Sequence, residues 1–126
     1  MSTLKLDTIA SRDGTESTDV TNVINGSAKA WVNFNGTGTV AIRESFNVSS
    51  ITDNGTAVYA VNFTNAMPDT NYIVCGMCNY NINGWGTVQL YSNNSGNPFS
   101  TTSVDIRTLE YSSVFDPAFI TIAVFR

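Results

Sequence analysis

Chain-reversing signals interrupt every apolar run between Ala28 and Arg126, and their spacing leaves no room for a helix-based core. The breakers are Asn35-Gly36-Thr37-Gly38, Asp53-Asn54-Gly55, Met67-Pro68-Asp69, Asn83-Gly84, Asn93 to Pro98 and Asp116-Pro117. Asn and Gly accept the positive φ that tight turns demand, and Pro sets φ while removing a donor, so each signal forces a reversal or a loop. Between them lie Ala28 to Phe34, Val40 to Phe46, Ala57 to Phe63, Tyr72 to Met77, Thr87 to Tyr91, Ser103 to Thr108 and Phe119 to Phe125. Short runs of this kind predict an all-β fold of about eight strands, a two-sheet β-sandwich or jelly roll.

A period of two assigns faces within the runs. Tyr59, Val61 and Phe63 share a side, as do Tyr72 and Val74, Val104 and Ile106, and Phe119, Ala123 and Phe125; these are the expected core. The last run is apolar on both sides, because Ile120, Ile122 and Val124 oppose the Phe119 set. A strand buried from both sides needs two covers, and an oligomer contact through Ile120, Ile122, Val124 and Phe125 is the expected second one.

The first 26 residues differ from the rest: Leu4, Leu6 and Ile9 are isolated apolar residues beside the polar stretch SRDGTESTDVTN. Residues 1–26 are expected to form an extended arm, with Leu4 and Leu6 alternating as an edge strand would, and Leu4, Leu6 and Ile9 meeting a partner surface. Residues 27–126 are expected to form the β-sandwich.

Charged residues make up 13% of the chain, about half the typical share, so the surface is polar but mostly uncharged. The net charge is −4, and the six Lys and Arg residues are spread singly, which argues against a nucleic-acid interface. No apolar run approaches the ~18–20 residues that span a bilayer, and MSTLKLDTIASRDG lacks the pattern of a signal peptide. Folding in the cytosol is expected, without a membrane partner.

There is no histidine, which removes the usual general base and the commonest metal ligand. The carboxylates fall mainly in expected loops or in the arm, where solvation accounts for them. Cys75-Gly76-Met77-Cys78 has the spacing of a redox or zinc knuckle, but a redox pair opens a helix and structural zinc needs four ligands. Residues three apart on a strand face opposite ways, so two reduced thiols, at least one of them in the core, are expected. Gly36-Thr37-Gly38 is a hairpin turn rather than a phosphate loop, and no calcium loop is present. Neither catalysis nor a cofactor is expected. Among the aromatics, Tyr80, Trp85 and Tyr91 sit among small amides, in the manner of a binding loop, and form a candidate outer site.

The segments INGSAKAWVNFNGTGTVAIRESFNVSSITDNGT and YAVNFTNAMPDTNY and the ending FITIAVFR resemble a module of tail-fibre and virion proteins of cyanophages and other aquatic tailed phages. The opening STLKLDTI resembles the start that often precedes such modules. The resemblance implies a β-sandwich in a three-fold assembly attached to the particle, made in the host bacterial cytoplasm. A capsid decoration, or cement, protein that clamps major capsid subunits on the capsid exterior is the first expectation, because the chain has no shaft to carry a receptor-binding head. A short tail-fibre or appendage head that binds a host glycan or protein is the alternative.

Overall fold

The structure, a computed structural model, describes residues 2–79, 86–92 and 96–126. Among the described residues, eleven strands and one short helix make up an all-β fold. Nine of the strands form one antiparallel sheet that curls into a nearly closed sandwich.

The first segment is not the extended arm expected from its composition. Leu4 and Leu6 lie in no strand, and the chain first pairs at β1 (Thr8–Ala10) with β2 (Ser17–Asp19), Ile9 opposite Thr18. The turn between them is built around Asp13, whose Oδ1 accepts from Ser11 Oγ at 2.7 Å, Thr15 Oγ1 at 2.8 Å and Thr15 N at 3.1 Å. Those donors favour the ionised carboxyl and hold its pKa down at about 2. Gly14, at φ 72°, supplies the left-handed residue that the reversal needs. Asp-Gly is a hairpin signal in its own right, and here it outweighs the alternation at Leu4 and Leu6. A seven-residue helix, α1 (Val20–Gly26), then leads into the sandwich.

The sandwich has two halves. One runs β4 (Ala41–Phe46), β3 (Ala28–Asn35), β11 (Ile120–Phe125), β7 (Ile73–Cys78). The other runs β8 (Gly86–Leu90), β9 (Ser103–Glu110), β6 (Val58–Phe63), β5 (Val48–Asp53), with β10 (Ser113–Val114) pairing β9. At one corner the halves join where Met77 of β7 pairs with Thr87 of β8. At the other the chain passes from β4 to β5 through Asn47 alone, at φ 54°. Asn47 fixes this crossing by donating to the carbonyls of Lys29 and Asn65 and accepting from Asn65 N at 2.8 Å. First and last strands of the sandwich are neighbours, and the chain crosses between halves after β4, β6, β7 and β10, as in a jelly roll.

All seven expected runs are strands, with ends shifted by a residue or two. The strand that the alternation rule passes over is β5. Its apolar residues, Val48 and Ile51, stand three apart and would face opposite ways on a regular strand. A register shift between Val48 and Ser50 against β6 restores them to one side, and both join the core.

The core holds Phe34 against Tyr59 edge to face, ring centroids 5.3 Å apart, and a chain of Phe63, Tyr72 and Phe99 in the same geometry. Tyr59 OH donates to Asp116 Oδ1 at 2.7 Å, and Ala57 N donates to the same oxygen at 2.6 Å. This carboxylate ties the crossing from β10 to β11 onto β6. Gly36 is needed at the same place: a Cβ there would stand 2.5 Å from Tyr59 Oη and 2.9 Å from the Pro117 carbonyl oxygen.

Candidate functional site

The last strand reverses the expected assignment of faces. Ile120, Ile122 and Val124 are sealed in the chain's own core, at most 3% exposed, so they are unavailable to a partner. Phe119, Thr121, Ala123 and Phe125, which include the residues expected in the core, point outward. Period two was correct, but it has no sign: it separates two faces without saying which is inner. The neighbours supply the sign, because Ala30, Val32 and Phe34 of β3 and Val74 of β7 register with the Ile120 set and face β6 and β9.

The outward face of this half is nonetheless apolar. Register places Phe46, Trp31, Ala123 and Cys75 in one row across β4, β3, β11 and β7. Beside it Phe125 lies opposite Ile73, and on the other side Glu44, Asn33, Thr121 and Met77 form the next row. Trp31, Phe46, Ile73, Met77 and Phe119 are between 39% and 73% exposed. At roughly 200 Å² for a large side chain, their exposed parts amount to about 550 Å². That reaches the upper end of the roughly 300–600 Å² of the largest apolar patch on an ordinary monomer. It is slightly above the roughly 450–520 Å² that is apolar in the roughly 800 Å² one partner contributes to a standard interface.

Between the aromatic side of this face and the β7 side runs a shallow groove of about 360 Å³, walled by Trp31, Asn33, Cys75, Met77, Thr121 and Ala123. Of its polar groups, Thr121 Oγ1 donates to the Met77 carbonyl at 3.3 Å and Asn33 Oδ1 accepts from Arg43 at 3.4 Å. At the far end, the Arg43 guanidinium stacks on the Phe119 ring at 4.1 Å and donates to the Ala118 carbonyl at 2.7 Å. Arg43 can do so because β4 is irregular there: the register shift at Asn33/Phe34 leaves it as the extra residue between Ile42 and Glu44. The face is thus an apolar centre with a charged margin, the composition of a protein-binding surface.

The other expected sites are dispersed. Leu4, Leu6 and Ile9 are exposed and belong to no core cluster. Tyr91 is half-buried beneath Arg107, whose guanidinium carbon stands 5.0 Å from its ring centroid. Tyr80 and Trp85 lie outside the described residues. Of the two free cysteines, Cys75 faces outward in the apolar row, while Cys78 packs against the core, and burial pushes its thiol pKa up. Asp69, held below its ordinary value by the Arg126 guanidinium, sits in a 2.6 Å surface ion pair. Among the described residues no group of three or more His, Cys, Asp or Glu side chains converges as metal ligands would, and no helix is long and apolar enough to cross a membrane.

The sequence reading missed Phe46, Ile73 and Met77 as surface residues. The signal was present in Tyr72 to Met77, where Ile73, Cys75 and Met77 alternate with Val74 just as the two sets of the last strand alternate. No family model, curated protein or solved structure matches this chain.

Proposed function

We propose that the chain is a structural protein of a tailed-phage particle, a homo-oligomeric decoration protein that binds the capsid shell and stabilises it. The observation that carries this reading is the apolar outer face of β4, β3, β11 and β7, which has the size and margin of an interface while the core beneath it is already complete. A chain that folds without that face has it free for association. The exposed Leu4, Leu6, Ile9, Val23 and Ile24 support a second attachment, because the N-terminal hairpin and helix leave apolar side chains uncovered that a neighbouring surface would cover. The resemblance of Ile24 to Tyr72 to virion modules supports the setting. A ligand that binds only the assembled shell stabilises it by mass action, and repeated attachment through one oligomer multiplies the effect.

Purified particles test this reading. A decoration protein is present in hundreds of copies per virion, whereas a tail appendage, the competing position, numbers in the tens or fewer. Removing residues 1–19 is expected to leave the sandwich folded and to abolish co-sedimentation with expanded shells. A truncated protein that still sediments with shells refutes the N-terminal attachment.

A further inference from the structure

The central row of the apolar face runs from large to small. Phe46 and Trp31 stand on β4 and β3, Ala123 and Cys75 on β11 and β7, and register sets the four side by side across the sheet. The aromatic half projects, with Phe46 54% exposed. Over the small half lies the groove, whose about 360 Å³ exceeds the roughly 150 Å³ that admits a benzene ring. Projection and hollow are each two strands wide, on opposite sides of a line that runs between β3 and β11 parallel to them.

Resting on the reading of this face as an interface, we propose that its occupant is a second copy of the chain, turned about a two-fold axis along that line. The turn lays each row on itself in reverse order. Phe46 then stands over the partner's Cys75 and Trp31 over the partner's Ala123, large over small at all four positions. Sheets stacked face to face lie about 10 Å apart with their side chains interdigitated, and this alternation keeps that spacing without voids. A two-fold axis along the row would instead set Phe46 on Phe46 and Cys75 on Cys75, wedging the sheets apart at one end and leaving a gap at the other.

In the next row the same turn brings Asn33 over the partner's Thr121, amide over hydroxyl, and Glu44 over the partner's Met77. Glu44 is on the edge strand, so its carboxylate reaches the rim. The area agrees as well: about 550 Å² of exposed apolar side chain meets the roughly 450–520 Å² that one partner brings to a standard interface, and a two-fold turn makes both copies bring the same patch. The pair is not the three-fold assembly that the resemblance implies, and it leaves Leu4, Leu6 and Ile9 of both copies free to meet the shell.

Light scattering coupled to size exclusion, over a dilution series, is expected to give twice the 13.6 kDa of the chain at high concentration. Exchanging sizes across the contact tests its register. Phe46→Cys leaves a gap over the partner's Cys75, and Cys75→Phe sets ring on ring; each is expected to raise the dimer dissociation constant at least about tenfold. Both changes in one chain restore large over small and are expected to bring the constant back to within about threefold of the parent. Within a chain the two positions lie three strand spacings apart, about 14 Å, so they cannot compensate each other directly. Far-UV circular dichroism checks that each variant folds. Where a single variant does not, alkylation of Cys75 in the parent chain by iodoacetamide, followed by peptide mass, reads the same contact and is expected to slow as the dimer forms. A parent chain that is trimeric or monomeric throughout, a double variant no tighter than the single ones, or an alkylation rate that ignores concentration overturns the proposal. A dimer absent from virions overturns the particle reading alone, and a monomer abundant in them overturns the pairing alone.

Discussion

The two faces of β11 are both apolar in sequence, Thr121 apart, and opposite in fate. Ile120, Ile122 and Val124 look inward and are sealed against Phe34, Tyr59 and Ile106, while Phe119, Ala123 and Phe125 look outward over a surface that this chain leaves open. Hydrophobicity alone does not tell a core face from an interface face, because both exclude water once their partners are present. What separates them is when burial happens: the inner face is buried by folding, the outer one only by association. A substitution on the first is read in stability, and one on the second in assembly.

Neighbouring positions on this strand give the sharpest test of that distinction. Ile122→Asp places an unpaired carboxylate in the core, at a cost of several kcal/mol against the roughly 5–15 kcal/mol that holds a domain of this kind together. The variant is expected to be unfolded or insoluble. Thr121→Asp, one residue away, faces solvent in the isolated chain and is expected to lower stability by less than about 1 kcal/mol. Urea denaturation of both variants decides the matter. Equal losses would break the division between the faces.

A smaller effect probes the polar tie within the core. Tyr59→Phe removes the hydroxyl that donates to Asp116 and leaves that carboxylate oxygen with Ala57 N alone, which is expected to cost about 1–3 kcal/mol in the same urea experiment. The phenols also set the alkaline limit. Burial raises Tyr72 to about 12, and burial and then the Asp116 bond raise Tyr59 further, from the ordinary value near 10. Both are held protonated in the folded chain after they would have ionised in the unfolded one. Their contribution is therefore complete below about pH 10 and falls as pH rises through the folded values. Circular dichroism against pH is expected to show the loss beginning above about pH 10, and to show it less steeply in Tyr59→Phe.

Much of this architecture was readable from turn chemistry, because Asn-Gly, Pro-Asp and Asp-Pro pairs mark where a chain must reverse whatever its tertiary setting. Strand faces were readable only as pairs. The sign of each pair depends on which strands become neighbours, a non-local fact that no window of sequence contains. The same limit hid β5, whose apolar pair shares a face only because a bulge opposite β6 adds a residue between them. The N-terminal segment failed for the opposite reason: two alternating leucines suggested a strand, but a local Asp13 turn had already chosen the pairing of Thr8–Ala10 with Ser17–Asp19. The candidate interface was half visible, in the second apolar face of the last strand: Ile120, Ile122 and Val124 were taken from the wrong side, while Phe125 lies on the open one.

The smallest effect asks how the open face protects itself before a partner arrives. Inside, the aromatic pair Phe34 and Tyr59 is covered on all sides, and its edge-to-face geometry needs no charge. Outside, Phe119 is half exposed, and its cover is the Arg43 guanidinium, which shields the ring from water and keeps a hydrated charge beside the apolar surface. Replacing Arg43 by Gln removes the cation–π contact, worth about 0.5–1 kcal/mol at an exposed site. Thermal unfolding is expected to change by that little. Solubility is expected to fall with the same substitution, because the bare Phe119 then extends the apolar surface to the strand end. If Arg43 instead proves as costly to lose as a buried core residue, the outer face is part of what holds the fold together, and the division drawn between the two sides of β11 does not hold.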